Sequence, residues 1–171
     1  MGLNYGSRAY GLENRTNNRE KGAVSRVNMW YRVGSLSGAE SGLYRVKLRM
    51  PADWKPVRGY EMRYGAPGGF VQLSAAGAGD ADLERAAASE ANHPLEPYGS
   101  RPSLRRTHAA GQEAYLILPS ADQSSEMERQ AALLVRYPRP VRIAGSVYCF
   151  LVLRSDEPHL EMIGNTLEFM V

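Results

Sequence analysis

Residues 133–169, "LLVRYPRPVRIAGSVYCFLVLRSDEPHLEMIGNTLEF", hold two apolar runs joined by a Pro-x-Pro connector and followed by a helix-like segment. Side chains alternate across a strand, so Val147, Cys149 and Leu151 project to one face of the second run, and Tyr148, Phe150 and Val152 to the other. Both sets are apolar. A strand of this kind needs cover on both faces of its sheet. "AYLIL" (114–118) and "AALLV" (131–135) make the same demand.

Two segments fit that need. "DADLERAAASEAN" (80–92) begins with Asp80 as an acidic cap and places Leu83, Ala87 and Ala91 at helical spacing; Asn92, His93 and Pro94 end it. "SDEPHLEMIGNTL" (155–167) starts with Ser155 or Asp156 as cap, tolerates Pro158 in its first turn, and carries Leu160, Ile163 and Leu167 as its buried stripe. The expected fold class is therefore α/β in the broad sense (α+β), a mainly antiparallel central sheet with helices packed on both faces.

Between the apolar runs, "YPRPVRIAGS" (137–146) reads as an extended connector. Pro138 and Pro140 cannot donate to a ladder, and Gly145 permits the turn into the last long strand. A Pro-x-Pro segment can dock into an aromatic groove, but that role needs independence from the fold, and the two flanking core strands favour a hairpin.

"LYRVKLRM" (43–50) has a different pattern. Tyr44, Val46, Leu48 and Met50 share one face and Arg45, Lys47 and Arg49 the other. A basic outer face protects an edge against stray pairing, or else receives an anion or an acidic partner. Before it, "RVNMWYRV" (26–33) reads as a strand, separated by the Gly- and Ser-rich "GSLSGAESG" (34–42). After it, Pro51 and Pro56 end the strand around Trp54, which reads as a lid on the core and alternatively as a ligand platform. "YEMRYG" and "GGFVQLSA" make a hairpin about "APGG". "LRRTHAAGQEAYLILP" (104–119) makes another about Gly111, and the polar "SADQSSEMER" (120–129) reads as a loop long enough to move. The candidate binding residues are Arg45, Lys47, Arg49, Trp54, Arg139 and Arg142.

The chain has 171 residues, 43% hydrophobic, enough for one domain with a real core. Residues 1–23, rich in Gly, Asn and Arg, read as a flexible basic arm, leaving 24–171 as the domain. A net charge of +3 is too small and too dispersed to predict nucleic-acid binding. Cys149 is the one cysteine and sits in an apolar run, which excludes an intrachain disulfide and a cysteine metal cluster. No apolar stretch is long enough to span a bilayer as a helix, and the first residues lack the apolar centre of a signal peptide and a lipobox cysteine.

Chemical motifs are scarce. His93, His108 and His159 show no zinc spacing, the Gly-rich stretches lack the Lys and Ser/Thr of a phosphate loop, and no G-x-S-x-G elbow is present. Asp156 and His159 read as a helix cap with an exposed histidine, with a spatially assembled metal site as the alternative. No cofactor and no catalytic residue is expected.

"YRVKLRMPADWKP", "GGFVQLSA", "DLERAAASEAN", "AAGQEAYLIL", "GSVYCFLVL" and "IGNTLEF" follow one another in an order that resembles the PsbP-like fold family over residues 43–171. The resemblance is strongest to uncharacterised members found in lipoproteins and secreted proteins of Gram-positive bacteria, and it implies an extracytoplasmic, envelope-associated setting. Relatives in that family include the extrinsic photosystem II subunit and a nuclear-import factor that binds a small GTPase. The resemblance thus implies a non-enzymatic accessory domain that docks a protein partner or, alternatively, a small ligand. Two further readings are an assembly protein of a larger particle tethered by its N-terminal arm, and a small hydrolase or metal-dependent enzyme.

Overall fold

Backbone pairing divides the expected central sheet in two. The structure, a computed structural model, describes residues 36–78 and 81–170. The basic arm, the strand expected over 26–33 and the Asp80 cap lie outside the described residues. Among the described residues ten strands and two α-helices follow in order, with a single 3-10 turn (Ser125–Met127) before β8: β1 (Leu36–Ser41), β2 (Val46–Pro51), β3 (Lys55–Pro56), β4 (Arg63–Ala66), β5 (Gly69–Ala76), α1 (Leu83–Ala91), β6 (Ser103–Ala109), β7 (Gln112–Leu118), β8 (Gln130–Ile143), β9 (Ser146–Asp156), α2 (Glu157–Gly164) and β10 (Glu168–Phe169). Seven strands form one sheet in the order β3-β4-β5-β9-β8-β7-β6, and three form a second, β1-β2-β10. Every pairing is antiparallel. The class is α+β.

The two-faced strands behave as their composition requires. Along β8 and β9, Ala132, Leu134, Phe150 and Val152 face α1, where they join Leu83, Ala87, Ala91, Tyr115 and Ile117 in one buried cluster. Ala131, Leu133, Val135, Leu151 and Leu153 join a second cluster, with Leu160 and Ile163 of α2 and Val46, Leu48 and Met50 of β2. One helix covers the first face. The second face is covered by α2 and the three-stranded sheet together.

Asp82 caps α1, its carboxylate accepting from the Arg85 N–H at 2.8 Å. Beneath this helix lies a charge network. Arg154 meets Glu90 at 2.6 Å and donates to the Ser74 hydroxyl at 2.6 Å, while the Tyr98 hydroxyl donates to Glu90 at 2.6 Å. Burial works against the Arg154 charge, and Glu90 more than offsets it, so the guanidinium pKa lies above its ordinary value. Burial, with Glu90 beside it, pushes the Tyr98 hydroxyl far above the usual phenol range.

Several local expectations are corrected. The Gly- and Ser-rich linker contains β1, which pairs with β2 from Leu36↔Pro51 to Ser41↔Val46. Its order comes from the ladder and not from apolar side chains, hence the weak sequence signal. Residues 137–143, expected as a connector, are the bulged end of β8, and the expected hairpin forms: pairing with β9 resumes at Val141↔Tyr148 and closes at Ile143↔Ser146. Its turn, Ala144 and Gly145, has φ of 49° and 86°, the left-handed pair that a two-residue hairpin needs. Ala110 and Gly111 repeat the device between β6 and β7, with φ of 50° and 74°. Leu167 is buried as expected but lies beyond the end of α2. The 120–129 loop is pinned: Arg129 donates to the Ser120 carbonyl at 2.9 Å and pairs with Glu157 at 2.9 Å, and Gln123 donates to the Pro97 and Gln130 carbonyls.

Candidate functional site

The prolines of β8 shape the candidate site. Arg136 pairs with Phe150 and Val141 with Tyr148, so Tyr137–Pro140 bulge out opposite Cys149 alone. Neither proline has an N–H to lose at this break. Tyr137 turns inward and is buried; its hydroxyl donates to the Tyr44 carbonyl at 2.9 Å and its ring lies 5.3 Å from the Phe169 ring. Burial, with Tyr44 nearby, raises its pKa. Pro138, Arg139 and Pro140 are left exposed.

Two other segments meet this bulge. The β1–β2 turn ends at Arg45, whose φ of 57° is a left-handed conformation that costs a non-glycine residue roughly 1–2 kcal/mol. The Arg45 carbonyl accepts from the Met170 N–H at 2.8 Å, which holds the chain after β10 against the turn. Between the three segments runs a groove of about 510 Å³, lined by Gly42, Leu43, Arg45, Tyr137–Arg142, Phe169 and Met170.

Arg45, Arg139 and Arg142 thus share one groove, and among the described residues no carboxylate side chain lines it. None of them has an ion pair among the described residues; Arg142 donates to the Gly145 carbonyl at 3.2 Å. Leu43, 43% exposed, adds apolar surface that a folded chain usually hides. Uncompensated cations beside open apolar surface favour an anionic occupant with an apolar part. The apolar members, Leu43, Tyr137, Phe169 and Met170, went unrecognised in the sequence because pairing and the bulge, not spacing, bring them together.

Lys47 and Arg49 lie elsewhere, on a shallow groove of about 600 Å³ with Glu40, Asn165, Thr166 and Glu168. Lys47 stands between Glu40 of β1 and Glu168 of β10 in register. Opposed residues share a face, so Lys47 is flanked by acids, while Arg49 stands opposite Gly38. Trp54 is separate again and is buried in the core, its ring 4.9 Å from the His159 ring and edge-on to it. The geometry fits a lid.

His159 is 2% exposed, which corrects the expected exposed histidine. Its Nδ1 lies 2.5 Å from Asp156 Oδ2, while Asp156 Oδ1 accepts from the Phe70 N–H at 3.0 Å. Ser155 donates its hydroxyl to the Phe70 carbonyl at 2.7 Å and is fully buried. Gly69 is required here, since a Cβ would come within 2.6 Å of Trp54 and 2.8 Å of His159. Asp156 occupies the N-cap position of α2 without accepting from a helix backbone N–H, because its oxygens serve the backbone of β5 and the His159 ring. Among the described residues, no group of three or more His, Cys, Asp and Glu side chains is placed to hold a metal ion. No helix among them is long and apolar enough to cross a membrane.

No family model matches the chain, and no curated protein sequence matches it.

Proposed function

We propose that this protein is a non-enzymatic docking domain of PsbP-like architecture, which holds an acidic segment of a protein partner in the groove of Arg45, Arg139 and Arg142. One observation carries the reading: separate chain segments bring three arginines to one groove with apolar members, and among the described residues no carboxylate side chain lines it. Arginine forks bond carboxylates in a bidentate way and stay charged at any physiological pH. An apolar side chain of the partner would lie against Leu43, Pro138, Pro140, Phe169 and Met170. Exposed ion pairs are each worth only about 0.2–1 kcal/mol, so the complex is transient and weakens with salt. Three cations are too few for a nucleic-acid track, which has to neutralise many phosphates. The envelope-associated setting that goes with the PsbP-like resemblance belongs to the same proposal.

Cross-linking in extracts of the native source, with mass spectrometry reading the linked positions, tests this. The expected result is one dominant partner linked to the Leu43 turn and the Tyr137–Arg142 bulge through an acidic segment, and absent with Arg45→Glu/Arg139→Glu/Arg142→Glu. A partner linked elsewhere and retained by that variant would remove the groove from the account.

A further inference from the structure

On the α2 face the seven-stranded sheet is wider than its cover. Arg105↔Leu116 and Leu116↔Leu133 are paired positions, so Arg105, Leu116 and Leu133 form one row across β6, β7 and β8 on this face. The eight-residue α2 covers Leu133 and leaves Leu116 and Leu118 half-buried. The uncovered strip is a cleft of about 410 Å³ between β6, β7 and α2. That falls within the roughly 300–1,000 Å³ of small-molecule sites.

The cleft walls carry opposite charges over an apolar floor. Arg105 of β6 lines one side; Glu157 and Glu161, one helical turn apart on α2, line the other. Glu157 is satisfied by Arg129 at 2.9 Å. Arg105 and Glu161 are exposed, and neither has an ion pair among the described residues. The cleft therefore offers one free cation, one free carboxylate, and the leucines Leu116, Leu118, Leu133 and Leu160 between them.

We infer that this cleft binds a small zwitterion with an apolar body, of dipeptide size, its carboxylate on Arg105 and its ammonium on Glu161. The charge complement and the apolar floor carry the assignment, and the arginine groove at the other seam plays no part in it. A lone anion would leave Glu161 repelling it, and a lone cation would meet Arg105, so a ligand with both charges fits best.

The probe is L-leucyl-L-leucine, titrated into the full chain with leucine methyl resonances as the readout. Saturable shifts confined to Leu116, Leu118, Leu133 and Leu160 are expected. N-acetylation of the probe, amidation of its carboxylate, Arg105→Gln and Glu161→Gln should each weaken binding roughly two- to fivefold, the scale of one exposed ion pair. Both side chains are exposed, so these variants keep the fold, and an unchanged spectrum without probe verifies it. Absence of saturable shifts, shifts centred elsewhere, or equal binding of capped and uncapped probes would overturn the inference.

Discussion

The two faces of the seven-stranded sheet use alternate residues of the same strands but are closed in different ways. On one, α1 lies over Leu134, Phe150 and Val152, and its edge is locked by Arg154, Glu90, Tyr98 and Ser74. On the other, α2 and the small sheet meet in pieces, and the arginine groove and the cleft beside α2 both open at the seams. A single cover excludes ligands. A composite cover leaves concave gaps whose rims carry the charged ends of its parts, and binding surfaces arise there at little cost to the core.

The comparison breaks most directly at the locked face. Glu90→Ala leaves the largely buried Arg154 without its counter-charge and should cost about 2–3 kcal/mol, measured by chemical denaturation. A loss below about 1 kcal/mol would mean that the network is solvated and that the two faces do not differ in this way.

Neighbouring leucines of β8 give the next test. Leu134→Ala on the α1 side should cost about 3–4 kcal/mol, and Leu133→Ala about 2 kcal/mol, because its cavity would open into the cleft and fill with water. Equal losses would deny the cleft its openness. Tyr137→Phe removes the bond to the Tyr44 carbonyl and should cost about 1–2 kcal/mol, while also loosening the bulge from the β1–β2 turn. Groove binding should fall with it.

The smallest expected effect lies at the 120–129 loop. Hydrogen bonds from Ser100 and then Ser120 hold the Asp122 carboxyl down to about 2, against an ordinary 3.8. A depressed carboxyl stabilises the fold above its unfolded pKa, and that stabilisation disappears as pH falls from about 4 toward 2. Asp122→Asn should therefore flatten the acid limb of the stability profile in that window and leave the neutral region with a small loss. An unchanged acid limb would mean that the loop opens without consequence for folding.

Much of this frame was legible in the sequence, because its causes are local. The alternation of Tyr44, Val46, Leu48 and Met50, the two-faced runs of β8 and β9, the Leu83, Ala87 and Ala91 stripe, and the Gly111 and Gly145 turns each express a period or a backbone requirement. β1 was hidden because Gly38 and Ser41 owe their order to ladder bonds with β2. The site was only half legible. Arg45, Arg139 and Arg142 could be named as candidates, but the bulge and the contact of Met170 with Arg45 are what join them. Lys47 and Arg49 read as part of the same basic surface until Glu40 and Glu168 arrive from the neighbouring strands. His159 read as exposed because its cover, Trp54 and Gly69, comes from far away in the chain.

The most direct test of the central claim is fluorescence anisotropy with a labelled acidic peptide bearing a central Leu-Phe pair, against the wild type and Arg45→Glu/Arg139→Glu/Arg142→Glu. The account predicts saturable binding that weakens as salt rises and vanishes in the variant, with the melting temperature of the two proteins the same. Equal binding by both proteins at every salt concentration would contradict it.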